Sequence, residues 1–599
     1  MNTNKITMKM MFRKNIGTGM LLMLTAGVFG QSGYDVIVNT AFSPTLSDAQ
    51  QKINEKANIT DTVNVTKPVD YNIVSPIFVT RFTPEPIKAP KVGKDQITRL
   101  YRNFVKLGVG NWGPYLDFEA NSLRSTEWAY GGRLFHYSTW DKIKTYAPAS
   151  YSDTKVEGYV QKFFKNYTLN AGAGYGHLLA HCYGFQPDTV FKDLDYKLKA
   201  KDIRRQYHHI NTNVNFSNNN LNDNTLNQKY AVNYDFLTDN IKQKEHQLGI
   251  LAALNHDVIR TKKAFSLNIG GELGFNYFQN DVYWQSEWIM ANINPHVIFK
   301  YEEYFVKLGF DALYISNIQK IALLLYQPEH HINPFHIYPD IELRLTLVPK
   351  IFSFYAGLNG GMKRNSYLSL MQENPYLSNY IPFSFTDEKA NVFAGIQLGI
   401  SRSLSIGARG SFGFYDGKPF FINDTLQRFL VTFNDRRDAY PVRLNNTFTI
   451  VEDRVNHLNL HFDMKYQYQK SLKLALNVDY NYYKLSVDLL APWYKPVFVA
   501  QFDISYLLLE KFLFGLDFYV HTGAKYPKFI DGGIAPTAMK PVLDFNFNFE
   551  YIWSKRLSFF ANVNNFAYQR NYFYHDYPTK RLNALVGVKY NFGGEALGK

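Results

Sequence analysis

Glu329, His330 and His331, followed by Asn333 and His336, are the one dense group of metal-capable side chains in an outer-loop position of this 599-residue chain. Imidazoles and a carboxylate this close could bind zinc or copper. Adjacent histidines in an extended chain point to opposite sides, however, and no further ligand follows at a fixed spacing. His208 and His209 meet the same objection. Asp463 and Asp479 are the paired carboxylates that acid–base chemistry would need, but their setting suits neighbouring strand positions facing a polar interior. The glycine-rich stretch Gly407 to Gly413 falls inside a strand-like segment, where glycine relieves crowding rather than cradling a phosphate. No Gly-x-Ser-x-Gly elbow or His-Glu-x-x-His helix is present. Cys182 is the single cysteine, so neither an internal disulfide nor a cysteine metal knot is available. The reading is of a protein that is not an enzyme, with no metal site and no cofactor.

The elements around these residues explain why. Asp544, Asn546, Asn548 and Glu550 alternate one for one with Leu543, Phe545, Phe547, Phe549 and Tyr551. Successive side chains of a strand point to opposite faces, so this ladder presents one aromatic face and one polar face. The same alternation sets Asp463 against Leu458, Leu460, Phe462 and Met464, and sets Asn477 and Asp479 against Leu474, Leu476 and Val478. Each ladder is about as long as a tilted bilayer crossing, roughly 9 to 11 residues. Asn477, Asp479, Asp463, Asp544, Asn546, Asn548 and Glu550 are therefore the candidate lumen-lining residues.

Composition agrees with a large membrane barrel. Aromatic residues make up 17% and charged residues only 19%, with Tyr (44) and Phe (48) dominating the aromatics. Barrels place such side chains on their lipid face and interfacial girdles. Mean hydropathy is −0.28, and beyond the N-terminus no apolar run reaches the roughly 18 residues of a spanning helix. Lys5, Lys9, Arg13 and Lys14 precede the apolar stretch Ile16 to Phe29, with Val28 and Gly30 as a small-residue cleavage site; residues 1–30 read as a signal peptide. Its removal lowers the formal charge from +14 to +10. That mildly basic balance suits outer-membrane lipid and lipopolysaccharide phosphates, and no basic block with interleaved aromatics suggests nucleic acid.

Residues 31–100 are punctuated by Pro68, Pro76, Pro84, Pro86 and Pro90, and read as a periplasmic tail too short for a full plug domain. Within it, Asp61, Thr62, Val63, Asn64, Val65 and Thr66 resemble the energy-coupling segment that pairs with TonB. A plain extended piece of tail is the alternative, and it is favoured because coupling needs a plug to pull. From Tyr101 to Phe592 the alternating segments predict an all-β fold, a transmembrane antiparallel barrel over 101–593 with about 22 strands (range 16 to 22). Short periplasmic turns and long outer loops are expected, the longest at 183–202, 318–334, 365–387, 416–452 and 522–540. Residues 426–451 are expected to form a small hairpin from Phe429 to Phe433 and Thr447 to Val451. Residues 594–599 form a C-terminal extension.

The tail Asp61 to Pro90, the run Tyr101 to Tyr115, and above all His336 to Pro339 followed by Tyr355 to Tyr376 with its Asn365, Ser366, Tyr367 and Glu373, Asn374, Pro375 resemble plug-less, TonB-dependent-receptor-like outer-membrane barrels of Bacteroidetes. Gly587, Tyr590 and Phe592 resemble the terminal signal read by the barrel insertion machinery, although Leu585 and the extension past Phe592 depart from it. The resemblance implies a Gram-negative outer-membrane location and a transport or receptor-type channel; the missing plug departs from true receptors and puts TonB-driven uptake in doubt, which leaves TonB and surface lipoproteins as alternative partners. The alternative is a non-transporting barrel that docks surface lipoproteins or an assembly complex. A barrel this wide needs filling, so the tail and inward-folded outer loops, 365–387 above all, are expected to occlude it.

Overall fold

The computed structural model describes residues 103–593, apart from 112, 123–126, 141, 193–195, 219–225, 261–264, 283, 321–332, 380, 382–383, 426–428, 433–438, 487–488 and 532. The signal peptide, the tail with Asp61 to Thr66, Glu329 to His331 and the extension 594–599 lie outside the described residues. The alternating ladders form one 22-stranded sheet in which each strand pairs with the next. The sheet closes on itself where Asn103–Gly110 pairs antiparallel with Asn583–Phe592, placing Asn103 opposite Phe592. The strand number agrees with the alternation, and no helix among the described residues is long and apolar enough to cross a membrane.

The two rims differ. At one, the joins are tight: Tyr301 faces Tyr304, Ser401 faces Leu404 and Leu508 faces Phe512. Such turns force ordinary residues into the left-handed region, including Glu302 (φ 52°), Leu509 (φ 53°) and Glu510 (φ 54°). Asn103 and Phe592 lie at this short-turn rim. At the other rim the strands rise well past a bilayer's need: Leu404–Asn423 has 20 residues and Phe448–Tyr468 has 21. In the first of these the alternation breaks after Tyr415, where the register slips between Tyr415 and Lys418. The small hairpin is present, but Phe429–Thr432 pairs with Ala439–Val442. The segment from Phe448 to Val451 instead belongs to the barrel wall, opposite Phe420 to Asn423.

The two faces of the wall separate by chemistry. Ile210 and Val214 on the strand Arg204–Asn218 are exposed, as are Leu273 and Val392 on Phe265–Val282 and Ser384–Ser401. The alternate residues Arg205 and Tyr207 are buried against a loop 160 or more positions away, which only the inner face of a closed barrel can achieve. The exposed apolar belt is the surface a bilayer covers. Phe547 sits at the middle of the strand Val542–Ile552, between Leu516 and Val563 of its neighbours. Phe547→Arg should cost about 2–4 kcal/mol if it lies at the bilayer midplane, read as a lowered urea midpoint of the protein refolded in lipid vesicles.

Candidate functional site

At the long-loop rim, segments from several loops fold inward and pack against one another. Residues after the strand Phe352–Asn365 turn inward as a short helix, Tyr367–Glu373. Ser366 caps it by accepting a hydrogen bond from Ser369 N, and Tyr367, Leu370 and Met371 form its buried face. Their spacing of three and four residues, with Ser366 before and Pro375 after, is the local signal for a helix. It was hidden in the sequence by the surrounding strand pattern.

A buried polar network holds this segment to the wall. Glu245, whose side chain is 1% exposed, accepts from Arg364 Nη2 at 2.9 Å and from the first helical amides, Tyr367 N at 2.8 Å and Leu368 N at 3.3 Å. The carboxylate thus neutralises a buried guanidinium and satisfies two amides that a helix start leaves unpaired. The Tyr367 hydroxyl donates to Asp239 at 2.9 Å and accepts from Arg205 at 2.6 Å. Arg205 also reaches Asn379 Oδ1 at 2.9 Å, while Tyr207 donates to the Pro375 carbonyl at 2.9 Å. Asn374, at the helix C-cap, is fully buried and accepts from Tyr376 N at 3.0 Å. The six residues Asn365 to Tyr367 and Glu373 to Pro375 are therefore the two ends of the inward-folded segment and its ties.

Above the network, loops from around the rim meet in an aromatic knot. Tyr376 stacks on Tyr577 with centroids 4.1 Å apart, Tyr183 meets Tyr577 edge-on at 4.9 Å, and Phe448 contacts Tyr494, Tyr574 and Tyr577. Phe448 also bonds Tyr376 and Ser378 through its backbone, at 2.9 and 2.7 Å. Trp493 and Leu377 are fully buried beside it. Burial pushes the Tyr376 and Tyr577 hydroxyls far above the ordinary phenol range, so the knot carries no phenolate near neutral pH. The Cys182 thiol, buried beside the knot, is pushed up to about 11 by burial, which leaves it a poor nucleophile.

The inner wall also carries a polar ladder. His457 Nε2 meets Asn481 Oδ1 at 2.9 Å, Asn459 reaches the same oxygen at 3.1 Å, and His461 Nδ1 meets Asp479 at 2.9 Å. Asp463 stands opposite Asn477 and Gly407. Gly407 to Gly413 lie inside the strand Leu404–Asn423. Three strands further along the same wall, Asn548 donates to Asp517 at 2.6 Å, Asn546 accepts from Asn565 N at 2.9 Å and donates to Asp544 at 3.5 Å. Ser558 donates to Glu550. Asn548 and Glu550 border a cavity of about 660 Å³ near the short-turn rim, together with Lys106, Lys465, Lys473 and Asp517. Asp463, Asn477, Asp479, Asp544 and Asn546 do not border it. His336 bonds the Asn333 carbonyl at 2.7 Å and stacks on Tyr338. No group of three or more metal-ligating side chains forms among the described residues.

Gly587, Tyr590 and Phe592 lie in the strand that closes the barrel. Phe592 stacks on Tyr590 at 6.1 Å and on Phe118 at 6.3 Å. Gly587 lies opposite both Gly108 and Phe560.

No family profile and no curated protein matches the sequence. Solved structures share the fold. The siderophore receptor PirA from Acinetobacter baumannii superposes with a TM-score of 0.58 at 11% identity, over 83% of this chain and 81% of that one. The ferripyoverdine receptor of the outer membrane of Pseudomonas aeruginosa gives 0.57 at 10% identity, covering 83% and 72%. The copper transporter OprC gives 0.54 at 14% identity, covering 82% and 80%.

Proposed function

We propose that this chain is an outer-membrane barrel of transport or receptor type whose conduit is held shut on the cell-surface side by its own loops. The observation that carries the reading is the inward-folded segment from Ser366 to Asn379, tied to the inner wall through Glu245, Asp239, Arg205 and Tyr207. A barrel of 22 strands is wide enough to hold a plug, and a purely structural barrel has no use for a closure built this way. The short-turn rim, where Asn103 begins the first strand, then faces the periplasm. Asn477, Asp479, Asp463, Asp544, Asn546, Asn548 and Glu550 line the conduit in this reading and set its permeability.

Planar-bilayer conductance tests it. The full chain is expected to be nearly silent, and replacing residues 367–379 with a short Gly-Ser linker is expected to raise the current about tenfold or more. No current from that variant, even with residues 31–100 also deleted, would sink the channel reading. If Asp61 to Thr66 couple to TonB, deleting them abolishes growth-linked uptake and leaves conductance unchanged.

One observation favours the docking alternative. The loop hairpin Lys525–Ile530 with Gly533–Ala538 exposes Phe529 and Ile530 at its tip, as a contact for a surface lipoprotein would. Stoichiometric lipoprotein in mild-detergent preparations, lost on Phe529→Ser, would support docking; a barrel that purifies alone would count against it.

A further inference from the structure

Lys418 occupies the strand Leu404–Asn423 two positions from Phe420, which is fully buried. The register slip after Tyr415 sets its place. Gly417 takes a φ of 70°, and a Cβ there would lie 2.4 Å from the Phe385 carbonyl, so only glycine fits the bulge. The Lys418 ammonium consequently lies over the Tyr415 ring at 4.1 Å and near the Tyr483 ring at 5.5 Å. Its Nζ is 3.3 Å from His457 Nδ1. His457 stacks flat on Tyr483 at 4.3 Å, and its other nitrogen meets Asn481. With Nε2–H donating to Asn481, Nδ1 is free to accept from the ammonium.

The surrounding carboxylates are engaged elsewhere. Asp453, opposite Lys418 in register, accepts from Ser486 N at 3.0 Å and from the Ser486 hydroxyl. Asp416 pairs with Lys389 at 3.0 Å and Arg454 at 3.4 Å. Glu388 accepts from the Tyr415 hydroxyl at 2.8 Å, and Glu373 pairs with Lys495. Lys495 lies above Phe421, and it and Lys363 raise the positive potential around Lys418, while the already engaged Glu388 and Glu373 offset part of it. Ring faces attract a cation weakly and cannot balance its charge. A largely desolvated ammonium in this setting favours an anion.

We propose that Lys418 marks a binding site for an anionic oxygen group, a carboxylate or a phosphate, on the solute that this barrel handles. Tyr415, Tyr483 and His457 form the walls of the site, and Lys495 and Lys363 strengthen its field. The inference rests on the transport or receptor reading for the word solute, but the site is tested without transport. The full chain in detergent is titrated calorimetrically with inorganic phosphate and, separately, with benzoate; the two arms distinguish the phosphate and carboxylate forms of the ligand. Saturable binding of one probe is expected. Lys418→Met should weaken it about tenfold or more, whereas Lys418→Arg, which keeps the charge, should retain most of it. A purely structural cation–ring contact would leave affinity unmoved in Lys418→Met. That result, or no saturable binding of either probe by the unaltered chain, overturns the site. Silence in bilayers of the variant lacking residues 367–379, alongside Lys418-dependent binding, would instead remove the channel reading and leave the site standing.

Discussion

Glu245→Ala is expected to release the helix Tyr367–Glu373 from the inner wall and open the long-loop rim. The Glu245 carboxylate accepts from Arg364, from two helix amides and from Gln247 Nε2 at 2.7 Å. Removing it leaves the Arg364 guanidinium, 3% exposed and packed over the Phe278 ring, without its counter-charge. Breaking a buried pair from one side typically costs about 3–5 kcal/mol, which moves a closed-to-open ratio by roughly 10² to 10⁴. The wall strand carrying Glu245 keeps its ladder pairs with both neighbours, so the cost should fall on the loop and spare the barrel. Hydrogen exchange at the amides of Tyr367 to Glu373 should accelerate, and bilayer current should rise together with it. Glu245→Gln, which keeps an acceptor and loses the charge, should lie between. Unchanged exchange in Glu245→Ala would mean that the aromatic knot alone holds the segment.

Gly587→Ala is expected to prevent proper closure of the barrel. A Cβ there would lie 2.1 Å from the Leu107 carbonyl oxygen and 2.4 Å from the Phe560 ring. The ring can rotate, but Leu107 belongs to the first strand, and its carbonyl moves only if the closing pair of strands separates. Overpacking of this kind costs about 1–3 kcal/mol where neighbours can yield, and more where the obstacle is backbone. The expected result is loss of the heat-modifiable, folded band on gels after refolding into lipid vesicles. Phe560→Ala should not rescue it, because the Leu107 contact remains. Refolding of purified protein involves no insertion machinery, so the assay separates two roles for this glycine. If Gly587→Ala refolds normally and fails only in cells, the residue acts as an assembly signal.

The polar ladder of the inner wall was partly legible. Asp463, Asn477 and Asp479 stand out in the sequence because each interrupts an apolar alternation. His457 and Lys418 do not, since their importance comes from pairing across strands and from a bulge that alternation cannot register. The small loop hairpin shows the same limit: residues 429–432 and 447–451 are both strand-like, but only the closed sheet decides that the second set pairs with Phe420 to Asn423 in the wall.

By itself the sequence determined the all-β barrel class, a strand number near 22 that the closed sheet then fixed, and the division of each strand into an apolar and a polar face. These follow from period-two alternation, which is repeated in every strand and depends only on immediate neighbours. Only the tertiary structure decided which loop side chains meet at the long-loop rim and which wall residues hold them. Tyr367 N finds Glu245 across 122 positions, and the Tyr577 hydroxyl finds the Asn446 carbonyl across 131. Such contacts leave no periodic trace in the chain. They exist because barrel closure brings distant loops to one rim, where burying their tyrosines and phenylalanines against each other removes them from water.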